Sequence, residues 1–227
     1  MSEIPKILHI ETSSTVCSVC ISSGNELVQL EELNDGYTHA ENLHVFIQRV
    51  CDRSEIKLND LDAIAISLGP GSYTGLRIGM SAAKGLSFAL NIPLIGVSTL
   101  SALAYAASIH EKKSFYIPML DARRMEIYFA VYDYEMNEVV KPQAKVIDEN
   151  SVSFFSDFSD SIFFGSGVGK CTSLLKNILP EINSTNIEIS SSNMINPVIG
   201  KYFQNDFMDI AYSEPEYLKE FFDARKN

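Results

Sequence analysis

Three things are scarce in this sequence of 227 residues: long apolar runs, basic residues and cysteines. No apolar run approaches the roughly 20 residues that a membrane-spanning helix needs, and Met1–Lys6 has no basic or apolar region of a signal peptide. We therefore predict a cytoplasmic protein without membrane association. The 29 acidic residues outnumber the 18 basic ones, and the formal net charge of -11 opposes non-specific attraction to nucleic-acid phosphates. If the protein functions in nucleic-acid metabolism, we expect a partner protein to bind the nucleic acid.

The four cysteines form no disulfide framework, and no metal site is predicted. Cys17 and Cys20 have CxxC spacing but stand in a predicted strand, where positions three apart point to opposite faces. His39 and His44 stand five positions apart on a predicted helix. They therefore do not share one face, as metal-ligating histidines at i and i+4 do.

The most informative segment that is present is Gly69-Pro70-Gly71-Ser72-Tyr73-Thr74-Gly75-Leu76-Arg77-Ile78-Gly79. The apolar run Ala63–Leu68 predicts a buried strand before it, and the spacing over Leu76–Leu90 predicts a helix after it. The glycine turn thus leads from a strand into a helix N-terminus, where unpaired N–H groups suit anions or partner carbonyls.

This turn fits no familiar catalytic loop. Its glycine spacing is one residue longer than the dinucleotide fingerprint, and no Lys-Ser or Lys-Thr pair follows, as a Walker A loop requires. Ser72 lies where a nucleophile elbow would place its serine, but Pro70 and Thr74 occupy the two glycine positions of that motif. A serine hydrolase is therefore disfavoured.

Hydrophobic periodicity predicts two similar halves, each with three strands, a helix, another strand and another helix. The predicted strands of the first half are Lys6–Ile10, Val16–Ile21, Leu27–Leu33, Ala63–Leu68 and Leu94–Val97, with helices starting after Thr38, at Leu76 and after Ser98. The predicted strands of the second half are Phe115–Asp121, Glu126–Asp133, Val139–Val146 and Ser161–Phe164, with helices over Glu149–Phe155, from Gly169 to about Ile178, over Asn193–Phe207 and over Tyr217–Lys226. We infer a duplicated α/β unit with domains 1–110 and 111–227, the last helix being a candidate to return to the first domain.

Acidic residues close the first strand of both halves, Glu11 in one and Asp121 in the other. An active phosphotransferase needs such an acid together with a glycine-lined phosphate cradle in each half. The turn after Glu11 has no glycine, and the turn after Asp121 carries two arginines. We predict a degenerate nucleotide site or phosphate loop at Glu11, Thr12, Ser13, Asp121, Arg123, Gly165 and Gly167, with Arg123 either in an ion pair or in contact with a nucleotide at a partner interface.

The helix after the glycine turn has a stripe nearly free of side chains. Gly75, Gly79 and Ala82 or Ala83 recur at spacings of three and four, so another element can approach closely. Spacing alone leaves two alternatives: the stripe packs against this protein's own sheet, or a helix of a partner packs on it.

Duplicated β-β-β-α-β-α halves with acidic strand ends are similar to the actin, Hsp70 and sugar-kinase fold, which has two ribonuclease-H-like lobes. Within it, GPGSYTGLRIG and the run Asp121–Tyr128 resemble the TsaB (YeaZ-type) family. Weaker similarities are Ile10–Ser13, Thr38–Leu43 and Pro215–Leu218.

The resemblance implies a non-catalytic subunit of the bacterial complex that forms threonylcarbamoyladenosine on tRNA. In this family the subunit binds the transferase TsaD, and the ATPase TsaE joins the pair. The resemblance also implies that tRNA is contacted only indirectly and that the protein forms homodimers when TsaD is absent. It implies that the protein has no cofactor of its own. Whether ATP or ADP is bound in the complex with TsaD and TsaE is left open. It also implies a partner interface on the two helices at His39, Glu41, Leu43, Tyr73, Thr74, Gly75, Arg77, Gly79, Ala82 and Ala83. The alternative from the residues is a self-sufficient ATPase or small-molecule kinase that uses Glu11 and Asp121.

Overall fold

Two mixed β-sheets organise the computed structural model, which describes residues 4–36, 38–158, 160–175 and 187–219. The first sheet has the order β3-β2-β1-β4-β5, with β1 (Lys6–Glu11), β2 (Val16–Ser23), β3 (Glu26–Asn34), β4 (Ala63–Gly69) and β5 (Leu94–Ser98). The second has the order β8-β7-β6-β9, with β6 (Phe115–Asp121), β7 (Glu126–Asp133), β8 (Glu138–Val146) and β9 (Ser161–Phe164). The helices are α1 (His39–Ser54), α2 (Tyr73–Leu90), α3 (Thr99–His110), α4 (Glu149–Ser156), α5 (Val168–Leu175) and α6 (Ile195–Gln204), with short 3-10 turns at Leu58–Asp60 and Ser191–Met194.

The two sheets repeat one topology. In each, three strands pair antiparallel in sequence, and the first of them also pairs in parallel with the fourth strand of its half. The strand that ends at Glu11 is therefore internal to the first sheet, and the strand that ends at Asp121 is internal to the second. This arrangement confirms the predicted duplicated α/β fold.

The first sheet is covered on both faces because successive side chains of β1 point to opposite sides. Leu8 packs with residues of α1 and α2, while Ile7 packs with residues of α3 and α6. In the second sheet, Phe129 packs with Phe155 of α4, and Tyr132 packs with residues of α3. Helix α3 therefore contributes to the cores of both halves, and α6 returns from the second half to the first sheet. We keep the division into domains 1–110 and 111–227 as a proposal.

All the predicted strands are present, with ends within two residues of the prediction. Helix α2 begins at Tyr73 instead of Leu76, because Ser72 caps it by accepting from the Gly75 N–H at 3.2 Å. Helix α6 contains Pro197 in its first turn, where the missing N–H costs no helical hydrogen bond. The predicted end of α5 at Ile178 lies outside the described residues.

The predicted helix over Tyr217–Lys226 is not helical over 217–219, and its remainder lies outside the described residues. Among the helices of the described ranges, none has the length and apolar character to cross a membrane.

Candidate functional site

The exposed sides of α1 and α2 form a shallow groove with a volume of about 600 Å³. Apolar and small side chains dominate its surface, and the residues that line it are Ala40, Leu43, His44, Arg77, Ile78, Ser81, Ala82, Gly85 and Leu86. A Cβ atom added at Gly85 would meet nothing within 4 Å, so the backbone of α2 is open to close approach there. A surface of this kind can accept the ridge of another helix.

The glycine stripe predicted to receive a partner faces inward instead. A Cβ atom at Gly75 would lie 2.1 Å from the backbone oxygen of Thr12, and one at Gly79 would lie 2.2 Å from Thr12 Oγ1. The Thr12 hydroxyl also donates to the Gly75 carbonyl at 2.9 Å. The prediction that Gly75, Gly79 and the buried Ala83 are available to a partner is therefore wrong. Their small size lets α2 pack on the turn after β1, and only Ala82 of that stripe reaches the groove.

The other residues predicted at the interface divide between the interior and the surface. Glu41, Thr74 and Arg77 are exposed and Tyr73 is half-buried, whereas His39 and Leu43 are buried. The His39 Nε2 atom lies 2.8 Å from the Ser14 carbonyl oxygen, and burial lowers the pKa of this imidazole although that hydrogen bond opposes the shift. His39 thus anchors the start of α1 to the turn after β1.

Sequence reasoning named Arg77 but missed Ser81 and Gly85, which lie on the same outward face of α2. Arg77, Ser81 and Gly85 recur every four residues and line the groove, two positions away from the inward glycines and so on the opposite side of the helix. The same spacing that identified the inward stripe could have found this second one. Which of the two stripes is free for a partner depends on which side of α2 packs on the turn after β1. That packing joins Thr12 to Gly75, which are far apart in sequence.

The C-terminal segment 207–219 runs beside α2 and the first sheet. The Met208 N–H donates to the Leu94 carbonyl and the Glu216 N–H donates to the Leu68 carbonyl, each at 2.8 Å. The Lys84 ammonium donates to the carbonyl of Ser213 at 3.0 Å. This segment is thereby fixed to β5, to the end of β4 and to α2.

An aromatic and cationic cluster lies at one end of the groove. The Tyr73 and Tyr217 rings have centroids 4.8 Å apart. The Arg77 guanidinium lies 4.4 Å from the Tyr73 ring centroid, and its Nε–H donates to the Tyr217 hydroxyl at 3.3 Å. The C-terminal segment therefore contacts a residue of the groove directly.

Glu11, the first predicted acid, is buried and engaged within the protein. Its Oε1 atom accepts from the Ser13 N–H at 2.5 Å and from the Ser67 hydroxyl at 2.9 Å. Burial raises the pKa of Glu11, and these hydrogen bonds act in the opposite direction. Glu11 thus joins the ends of β1 and β4.

The predicted phosphate turn after β1 is closed by the glycine turn. The Ser72 N–H donates to the Ser13 carbonyl at 2.6 Å. A Cβ atom at Gly71 would lie 2.2 Å from that same oxygen. Gly71 is needed because the Ser13 backbone lies directly against it. The carbonyl that meets the start of α2 is therefore that of Ser13 in this same chain, and not that of a partner.

Asp121, the second predicted acid, is exposed but paired. Its Oδ1 atom accepts from the Lys170 ammonium and from the Arg123 N–H, each at 2.6 Å. Partial burial raises the pKa of Asp121, but the Lys170 charge and these hydrogen bonds outweigh it and hold the pKa below its usual value. Arg123 and Arg124 both adopt left-handed backbone conformations in the turn between β6 and β7.

Gly165 and Gly167, which precede α5 in the second half, also have no room for a Cβ atom. A Cβ atom at Gly165 would lie 2.5 Å from the Met119 carbonyl oxygen, and one at Gly167 would lie 2.9 Å from the Leu120 carbonyl carbon. The Gly167 N–H donates to the Met119 carbonyl at 2.9 Å. Within the described ranges, no cluster of three or more His, Cys, Asp and Glu side chains could hold a metal ion. The four cysteines are buried free thiols.

Comparisons with known proteins agree with this architecture. A Pseudomonas aeruginosa crystal structure described as similar to peptidase YeaZ superposes with a TM-score of 0.80 at 23% identity, covering 95% of this chain and 100% of that one. The activator of 2-hydroxyisocaproyl-CoA dehydratase from Clostridium difficile superposes with a TM-score of 0.50 at 10% identity, covering 90% of this chain and 98% of that one. These two structures share the fold of this chain, an α/β arrangement with two mixed sheets.

The sequence comparisons define the family. A model of the TsaD family, described as tRNA N6-adenosine threonylcarbamoyltransferase, matches residues 36–216, so the chain belongs to this family. Within it, the chain is of the TsaB (YeaZ) type.

Curated proteins named tRNA threonylcarbamoyladenosine biosynthesis protein TsaB are similar to this chain. The Haemophilus influenzae protein is 36% identical over 125 residues, which span 55% of this chain and 52% of that protein. The Escherichia coli protein is 34% identical over 134 residues, which span 59% and 58%. The chain thus matches little more than half the length of these two. The Bacillus subtilis protein is 27% identical over 221 residues, which span 94% and 93%.

Proposed function

We propose that the protein is a non-catalytic subunit of the machinery that forms threonylcarbamoyladenosine on bacterial tRNA in the cytoplasm. Its role in this proposal is to bind and activate a TsaD-type transferase through the groove between α1 and α2. The observation that carries the proposal is the exposed apolar groove with open backbone at Gly85. The family membership and the names of the TsaB relatives supply the pathway.

The groove has the features that helix packing between two proteins requires. Leu43 and Ala82 provide an apolar floor, and Gly85 adds no side chain above it. A stable interface of ordinary size buries about 800 Å² on each partner, which is more than one groove provides. We therefore expect the exposed neighbours Glu41, Val45 and Thr74 to form the rim of the interface.

The two acidic strand ends support a non-catalytic role. Glu11 is buried among internal donors, and Asp121 is paired with Lys170, so neither carboxylate has the setting of a metal-holding or water-orienting acid. The glycine turns of both halves fill the space beside the first strands with backbone contacts. These features oppose the alternative of a self-sufficient ATPase or small-molecule kinase.

The proposal extends to the other partners. A TsaE-type ATPase joins the pair, tRNA is held by TsaD, and any ATP or ADP is bound in the complex and is not a cofactor of this chain alone. When TsaD is absent, a second copy of this chain occupies the same groove. The acidic net charge of -11 agrees with an indirect role toward tRNA.

A reconstituted reaction tests the proposal. Threonylcarbamoyladenosine on tRNA is measured with the adenylate-forming enzyme, TsaD and TsaE, with and without this protein. We expect product only when this chain and TsaD are both present, and none when this chain replaces TsaD. Product that forms without this chain would contradict the proposal, and ATP hydrolysis by the isolated chain that Asp121→Ala abolishes would favour the enzyme alternative.

A further inference from the structure

Arg77 stands out in the groove because of its charge. Among the described residues that line the groove, it is the only one with a permanent charge, and that charge is positive on a protein with a net charge of -11. His44 is the other ionisable residue of the lining. A partner helix that presents a carboxylate beside its apolar residues would therefore complement this end of the groove.

The Arg77 side chain is held in one direction although it is exposed. The Tyr73 ring lies under the guanidinium, and the Tyr217 hydroxyl accepts from Nε–H. Within the described part of the chain, no residue forms a hydrogen bond or an ion pair with the two terminal nitrogens, and the Glu214 carboxylate attracts the guanidinium only from a longer distance. A planar guanidinium fixed in this way presents two parallel N–H donors to a carboxylate, which a lysine ammonium cannot do.

Tyr217 is itself fixed on both sides along the chain. The Glu216 N–H is bonded to the end of β4, and the Lys219 ammonium contacts the Glu126 carboxylate and lies 5.6 Å from the Tyr128 ring centroid. The segment that carries Tyr217 is thus attached to the first sheet just before this residue and to the second sheet just after it. Its ring packs against Tyr73 on the first turn of α2.

We propose that Arg77 determines partner specificity by pairing with a carboxylate on a helix of the TsaD-type transferase, and that Tyr217 is the residue that positions its guanidinium. This inference rests on the proposed function, since it names a contact within the proposed interface. It assigns the C-terminal segment a role in recognition in addition to its packing. Pre-orienting Arg77 reduces the side-chain entropy that is lost when the complex forms.

Titration calorimetry of this chain with TsaD tests the inference through a double-mutant cycle. We expect Arg77→Gln to weaken binding about tenfold and Tyr217→Phe about threefold. Because Tyr217 acts through Arg77, the double variant should bind no more weakly than Arg77→Gln alone. Arg77→Lys, which keeps the charge but loses the planar fork, should bind with intermediate affinity.

Arg49→Gln is the matched control, because Arg49 is also exposed and lies 5.9 Å from an aromatic centroid, that of Phe46, but does not line the groove. It should bind as the wild type does. Raising NaCl from about 50 to 500 mM should weaken the wild type more than Arg77→Gln, because salt screens the proposed pair. Thermal melts of each variant verify that it is folded.

The outcomes separate this inference from the proposed function. If the wild type does not bind TsaD, both are overturned. If the wild type binds and Arg77→Gln binds equally well, the specificity role is overturned and the proposed function stands. If Tyr217→Phe weakens binding as much in the Arg77→Gln background as in the wild type, the positioning role of Tyr217 is overturned. If sedimentation shows that Arg77→Gln alters only self-association, the contact belongs to a second copy and not to TsaD.

Discussion

Helix α2 has two small-residue faces, and they differ in what they contact. Gly75 and Gly79 point at Thr12 and have no room for a Cβ atom. Ser81 and Gly85 point away from the sheet, and Gly85 has open space around its Cα. Small residues therefore serve internal packing on one side of the helix and leave a docking surface on the other. Small size alone does not identify an interface, since the neighbouring atoms decide between the two roles.

The largest expected effect is on the inward face. Gly75→Ala would drive a methyl group into the Thr12 backbone oxygen, which is 2.1 Å from the Cβ position and cannot rotate away. We expect a loss of about 3 kcal/mol in the free energy of unfolding, at the upper end of the cost of overpacking. Urea denaturation followed by circular dichroism measures it. An unchanged midpoint together with lost TsaD binding would reverse the assignment of the two faces.

The outward face should respond in the opposite way. Gly85→Arg places a long charged side chain over the groove, where nothing lies within 4 Å of the new Cβ atom. We expect TsaD binding to fall about 100-fold, as for loss of a central contact, while the free energy of unfolding rises by up to about 1 kcal/mol, because arginine is a better helix former than glycine. Calorimetry and urea denaturation of the same sample check both. Wild-type affinity would exclude this groove as the interface.

A smaller effect sharpens the account of the inward face. Thr12→Val keeps the shape of the buried side chain but removes the hydroxyl that donates to the Gly75 carbonyl. We expect the free energy of unfolding to fall by about 1 kcal/mol, the ordinary contribution of one hydrogen bond. Thr12→Ser, which keeps the hydroxyl, is the companion variant. If Thr12→Val is as stable as the wild type and only Thr12→Ser is destabilised, the methyl group and not the hydrogen bond accounts for the contribution of Thr12.

The smallest effect separates helix propensity from docking. Gly85→Ala removes a glycine from an exposed helix position with open space for the methyl group. We expect the protein to gain about 0.5–1 kcal/mol in the free energy of unfolding. TsaD binding should weaken only slightly, because alanine is still small. A loss of stability, measured by thermal melting, would show that the backbone at Gly85 is not as open as described.

Much of the fold could be predicted because the relevant patterns are local. The short, mainly apolar run Ile7–Ile10 in β1, which is buried throughout, predicts a strand covered on both faces. The glycine turn between β4 and α2 is likewise encoded within about ten residues. Local patterns of this kind also identified the repeated halves.

The arrangement of the site could not be predicted in the same way, because it depends on contacts between distant residues. Thr12 and Gly75 are separated by 63 positions, and their contact decides which face of α2 is inward. Asp121 and Lys170 are separated by 49 positions, and Arg77 and Tyr217 by 140. Motif reasoning named Arg77 and Asp121 but could not supply the neighbours that define their roles.

Hydrogen–deuterium exchange of this chain with and without TsaD would locate the partner surface. We expect slower exchange across α1 and α2 in the complex, strongest around Ala40–His44 and Arg77–Gly85. The peptides that cover β6, β7 and α5 should exchange at unchanged rates. Slower exchange confined to that second half, with α1 and α2 unaffected, would contradict the assignment of the groove as the partner surface.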